Sequence, residues 1–177
     1  MKSEKLPHFK YDLNAGPRPI EMLTEIPESG NCRLAIQQYF FVSSGTRFNP
    51  EEILCPQSFR KTGTEIIGQS DLWNWSQLVR GDVLFAERIL GKDGGKVDRS
   101  RGAFSTEDLW ITYLHSAVFL GMADEKLFEL LPSSSYPQNT HLVWHATAVS
   151  GVTCVWSTDK FEKYYKPISA RRFTEAP

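Results

Sequence analysis

Asn31-Cys32-Arg33-Leu34-Ala35-Ile36-Gln37-Gln38-Tyr39-Phe40-Phe41-Val42-Ser43-Ser44 is the first clearly periodic stretch of this 177-residue chain. Cys32, Ala35, Ile36, Tyr39 and Phe40 fall at i, i+3, i+4, i+7 and i+8, the spacing of one apolar stripe on an amphipathic helix. Ser29 or Asn31 is placed to cap its start and Gly45 to end it. The pattern therefore predicts a helix over 32–44 that opens on a cysteine. Asn49-Pro50-Glu51-Glu52 has the form of a cap and first turn, and predicts a second, shorter helix.

Upstream, Pro7, Pro17, Pro19 and Pro27 break any long regular element, so residues 1–28 read as an extended arm packed on a domain spanning 29–177. Downstream the pattern changes. Val83–Ile89, Tyr113–Leu120, Leu142–Ala148, Val152–Trp156 and Ile168–Phe173 are short apolar runs separated by Gly, Asp and Ser, as antiparallel strands are. Ser157-Thr158-Asp159 offers a cap for a short helix running to Tyr165 and stopped by Pro167. Gly91–Thr106 and Ser133–Thr140 are polar or rich in Ser and Gly, and read as surface loops. Helices first and strands second predict an α+β domain: N-terminal helices packed on an antiparallel sheet of about five or six strands.

Composition narrows the classes. Hydrophobic residues make up 41% and charged residues 23%, ordinary for a globular chain that buries a core as one domain. Twenty basic against 21 acidic residues leave a formal charge of −1, which supplies no basic surface for nucleic acid. No apolar run of about 18 residues occurs, and the first ten residues contain no apolar h-region. Neither a membrane span nor a signal peptide is expected, which points to the cytoplasm. The three cysteines, Cys32, Cys55 and Cys154, are odd in number and include no C-x-x-C pair, so neither a disulfide framework nor a zinc knuckle is indicated.

Chemistry concentrates at Cys32. The start of a helix presents unpaired N–H groups and a partial positive charge, which stabilise a thiolate. The same N–H groups can hold the oxyanion formed when sulfur attacks a carbonyl. The plainer alternative is a small core hydrophobe, and Cys55, before Pro56, and Cys154, within an apolar run, take that reading. His115 lies in an apolar run on one face with Ala117 and Phe119, and His145 shares a strand face with Val143 and His141. Two histidines on such strands fit a base and the partner that orients its second ring nitrogen. A zinc site from His115, His141 and His145 lacks a Cys or carboxylate at ligand spacing, and no metal or other cofactor is implied.

The order of these pieces resembles the NlpC-type branch of the papain-like cysteine peptidases. In that family a cysteine opens a helix, a Gly-Asp turn leads into the first strand, a histidine opens the next, and a third polar residue follows on a short strand. The matching fragments are Asn31-Cys32-Arg33-Leu34, Leu78-Val79-Arg80-Gly81-Asp82-Val83-Leu84-Phe85, His115-Ser116-Ala117-Val118-Phe119-Leu120-Gly121 and His145-Ala146-Thr147 with Gly151-Val152. Ala170-Arg171-Arg172-Phe173 resembles the family's last strand, so the likeness runs over residues 29–173. It implies that Cys32 is the nucleophile, His115 the base and then acid, and His145 its orienting partner. It also implies a peptidase or amidase that forms a thioester with a short peptide, γ-D-glutamyl cell-wall peptides being the family's usual substrate.

This chain has Asn31-Cys32-Arg33-Leu34 where the family usually has Asp-Cys-Ser-Gly. Tyr11 is the only tyrosine before the helix to stand in for the family's substrate loop. Arg33, beside the nucleophile, is placed to hold a substrate carboxylate or else is a solvated surface charge. Two alternatives share the same expected fold. One is a thiol acyltransferase with a groove lined by Leu72-Trp73-Asn74-Trp75, residues that otherwise pack in the core. The other is a binding module without catalysis.

Overall fold

A computed structural model of the chain describes residues 6–23, 25–48, 61–90, 114–123 and 139–173, with Glu52, Phe59, Gly95, Leu127 and Tyr136. In chain order the elements are β1 (Lys10–Tyr11), β2 (Ser29–Gly30), α1 (Cys32–Ser44), β3 (Thr64–Ile67), β4 (Val83–Arg88), β5 (Leu114–Met122), β6 (His141–Thr147), β7 (Val152–Ser157), α2 (Thr158–Tyr164) and β8 (Tyr165–Arg172). Short 3-10 turns lie at Ile20–Met22 and Trp75–Gln77.

The Arg80-Gly81-Asp82 turn anchors the sheet. Gly81 has a φ of +94°, which side chains disfavour. The turn lets the Gly81 N–H donate to the Phe119 carbonyl and the Phe119 N–H to the Asp82 carbonyl, both at 2.8 Å, starting the β4–β5 ladder. The buried Asp82 carboxylate accepts from the Val79 N–H at 2.9 Å and from Arg172 in a fork, Nε at 2.7 Å and Nη2 at 2.8 Å. That fork ties the end of β8 to the start of β4, beside which it runs antiparallel.

Eight strands form one curled half-barrel sheet in the order β2-β1-β7-β6-β5-β4-β8-β3. Neighbours are antiparallel except β1 and β2, which are parallel, so the sheet is mixed. This overturns the expected papain-like α+β arrangement of N-terminal helices on an antiparallel sheet of about five or six strands. Two α-helices have described bounds, and one of them is N-terminal; Glu52, Phe59 and Leu127 are helical besides. The extra strands have a physical origin. Phe9 is buried in the core, and its carbonyl accepts from the Thr153 N–H at 3.0 Å, which pulls the arm against β7. Two-residue β1 and β2 and four-residue β3 are too short to show alternation in sequence.

The strands predicted downstream correspond to β4, β5, β6, β7 and β8. The helix ends at Tyr164, and β8 starts at Tyr165 and passes through Pro167 instead of starting at Ile168. Its pairing with β4 slips between Phe85 and Ala86, where Pro167 faces Ala86. Such a bulge is where a strand tolerates a residue without an N–H. Ser157 caps α2 as expected, accepting from the Lys160 N–H at 3.2 Å. The cap at Asn49, Pro50 and Glu51, Cys55, and most of the expected loops 91–106 and 133–140 fall outside the described residues.

The sheet has a core on each face. Ala35, Ile36, Tyr39 and Phe40 of α1 pack on Phe85, Val118, Leu120, Leu142 and Trp144. The alternate residues Leu84, Ala86, Ala117, Phe119 and Val143 meet Trp156, Phe161 of α2 and Tyr165 on the opposite face. Trp73 and Trp75 are half-buried and pack against that second core, Trp75 stacking on Phe119, while Leu72 is exposed. No helix among the described residues is long and apolar enough to cross a membrane.

Replacing Asp82 by Ala leaves the Arg172 guanidinium and the Val79 N–H without their buried acceptor. We expect urea unfolding to show a loss of about 3–5 kcal/mol, with Asp82→Asn losing less because one carbonyl oxygen remains. A loss below about 1 kcal/mol would instead give the pair the weight of a surface ion pair.

Candidate functional site

Cys32 is the first residue of α1, and the residues before it fix where that helix starts. The Asn31 side chain accepts from the N–H groups of Arg33 and Leu34 at 3.0 and 3.1 Å, while its own N–H donates to the Ala15 carbonyl at 2.8 Å. The cap thereby leaves the Cys32 N–H uncommitted. Gly30 lets the turn into α1 pack tightly, because a Cβ there would run into Leu34 and Phe9. Cys32 is half-buried, and so is Arg33.

His115 of β5 and His145 of β6 meet directly. Their Nε2 and Nδ1 atoms are 2.7 Å apart, with the rings inclined at 73°. Both are buried, and His145 wholly so. Around His145 stand Trp156, Phe161 and Tyr165, with ring centres at 4.6, 5.5 and 5.8 Å, and its Nε2 has no hydrogen-bond partner. An enclosure of rings accepts an N–H more readily than a bare lone pair. Assigning the His145 proton to Nε2 on that ground makes its Nδ1 the acceptor from the His115 Nε2–H and leaves the His115 Nδ1 unprotonated.

Burial sets the charge of this pair. His115 is pushed down to about 3, first by removal from water and then by the Arg88 guanidinium. His145 is held well below the usual imidazole range by burial, then by His115 and by Lys160, whose ammonium lies over the Trp156 ring. Both histidines are neutral at neutral pH.

Strand pairing brings two further side chains to the same face. Ala86 lies opposite His115 and Arg88 opposite Tyr165, so Arg88, His115 and Tyr165 share one face. Tyr165 stacks on His115 at 4.2 Å and its hydroxyl is 2.6 Å from that of Thr147. Burial pushes the Tyr165 phenol up to about 12. Tyr11 is likewise pushed up to about 12 by burial and then by Cys32.

The two histidines are thus brought together. His115 and His145 point away from the sheet face on which α1 packs. Cys32 opens α1, which packs on that other face. Among the described residues no hydrogen bond joins Cys32 to His115. Arg33 contributes its backbone to the cap. His141 contacts Phe119, and no three His, Cys, Asp or Glu side chains among the described residues form a metal-binding group. Arg88, Tyr165, Thr147 and Trp156 were missed in sequence. A charged residue on an otherwise apolar strand face was the available signal for Arg88, but it required knowing which strand lies beside it. The chain matches no family model, and no curated protein matches it.

The low proton affinity of His115 makes stability pH-dependent. Between its ordinary 6.5 and about 3, the unfolded chain binds a proton that the folded chain does not. Stability is therefore full above the ordinary value and falls as pH drops through this window, by about 1.4 kcal/mol per pH unit for each such histidine. Urea titrations from neutral to acid pH should show a shallower loss for His115→Gln than for the wild type; parallel curves would mean that His115 is already protonated in the folded protein.

Proposed function

We propose that this protein is a cysteine hydrolase of the peptidase or amidase type, with Cys32 as nucleophile, His115 as base and then acid, and His145 as the residue that orients His115. The hydrogen bond between the two histidines carries the reading, since it holds the imidazole by Nε2 and leaves Nδ1 for proton transfer. Cys32 at a helix start with its N–H uncommitted by the cap adds to it, and so does the ordered set of fragments that resembles NlpC-type peptidases.

In this reaction the Cys32 sulfur adds to an amide carbonyl carbon and its proton passes to His115 Nδ1. The Cys32 N–H stabilises the resulting oxyanion. Collapse breaks the C–N bond, His115 returns the proton to the leaving amine, and water then cleaves the thioester. An imidazole of such low proton affinity does not hold the thiol proton at rest, so the proton moves as the C–S bond forms. The substrate class is a short peptide, with D-glutamyl cell-wall peptides as the first candidates. An acyltransferase would share every step up to the thioester and pass it to another acceptor.

A binding module without catalysis is the second reading, favoured by the missing Cys32–His115 hydrogen bond among the described residues. Catalytic contacts of this kind often close only around substrate, and turnover separates the two. Incubating the protein with γ-D-glutamyl peptides and following amine release by mass spectrometry should show turnover that falls by about a thousandfold or more in Cys32→Ala and His115→Ala. His145→Ala should retain more activity than either. Undiminished turnover in Cys32→Ala would sink the assignment of the nucleophile, and a Cys32 that alkylating agents do not modify would favour the binding module.

A further inference from the structure

One hydrogen bond does not fix an imidazole. The 2.7 Å contact with His145 Nδ1 holds one nitrogen of His115, Nε2, and by itself leaves the ring able to turn about that line. Tyr165 removes this freedom. Its ring lies on the His115 ring with centres 4.2 Å apart and 16° between the planes, the closest ring contact of either histidine among the described residues. The two side chains come from β5 and β8, which flank β4. Ala86 of β4, opposite His115 and buried on the same face, is small enough to let the rings meet across that strand.

Tyr165 is itself held at both ends. Its N–H donates to the Phe161 carbonyl, where α2 stops. The preceding carbonyl, of Tyr164, accepts from the Ile89 N–H at 2.8 Å, which pins the start of β8 to the chain just past β4. At the far end, the phenol oxygen lies 2.6 Å from the Thr147 hydroxyl, whose oxygen also accepts from the Val149 N–H at 3.3 Å. Phenylalanine at 165 and valine at 147 would fill the same core with no polar group to satisfy. The buried hydroxyl pair instead fixes the direction of the tyrosine ring. Burial pushes the phenol up to about 12, so the pair stays uncharged near neutrality.

We propose that Tyr165, clamped by Thr147, is a positioning residue for His115: it stops the imidazole turning about its hydrogen bond to His145 and keeps Nδ1 aimed in one direction. This role rests on the reading of His115 as the base. An imidazole that turned would spend part of its time with Nδ1 misdirected, and proton transfer tolerates little misplacement. Tyr165 acts through His115 and takes no part in bond making.

NMR of the imidazole nitrogens reads the orientation directly. Wild-type His115 should show one tautomer, protonated on Nε2, with its ring protons shifted upfield by the Tyr165 ring. Tyr165→Leu should show exchange between the two tautomers. In the same variant, kcat for γ-D-glutamyl peptide cleavage should fall by about tenfold to a hundredfold, with KM little changed. Tyr165→Phe and Thr147→Val keep the stack without the clamp, and both should fall between Tyr165→Leu and wild type. Ile67→Ala, a cavity in the same core on edge strand β3, should lower stability but keep the wild-type tautomer and kcat. A Tyr165→Leu protein whose tautomer or whose kcat matches the wild type overturns this inference and leaves the hydrolase reading standing. If that variant does not fold, the wild-type tautomer and kcat in both Tyr165→Phe and Thr147→Val overturn it instead. A wild type without turnover overturns the hydrolase reading and this role with it.

Discussion

A carboxylate stays inside a protein only where short-range donors replace the water it has lost, and Asp82 meets that condition with donors from two directions. The Val79 N–H closes the turn before β4, and the Arg172 fork holds the end of β8 against the start of that strand. Because Phe119 pairs with the backbone of the same turn, β5 is set in register as well. Register then determines function. Once Val83 faces Val118, Ala86 must face His115, and the bulge after Phe85 then sets Arg88 opposite Tyr165. A slip by one residue would send each of these side chains to the other face.

The histidine pair shows what the second core costs and what it supplies. Trp156, Phe161 and Tyr165 exclude water from His145, which orients the imidazoles through one short hydrogen bond. The same exclusion suppresses protonation, so the pair is rigid and neutral at rest.

Much of the chain's local structure was written in its side-chain pattern. The stripe from Ala35 to Phe40 and the Asn31 cap specify α1, and Gly45 ends it, its N–H bonded to the carbonyls of Phe40 and Phe41. The alternation in β4, β5 and β6 specifies strands buried on both faces. Pro167 was read as the stop of the helix before it, and it lies instead inside β8, where the bulge opposite Phe85 and Ala86 makes room for it. β1, β2 and β3 were illegible for a different reason. They are strands because of what lies beside them, and two to four residues contain no period of their own.

The candidate site divides along the same line. Cys32 at a helix start and His115 and His145 in apolar runs are properties of short stretches, visible because backbone periodicity is local. That the two rings meet, that Arg88 and Tyr165 join them, and that α1 lies across the sheet from them depend on pairing between segments far apart in the chain. Residue identity and spacing determined which groups this protein has for chemistry. Which of them share a face and which lose their water was decided by tertiary structure, because register and burial arise only when distant strands pack together.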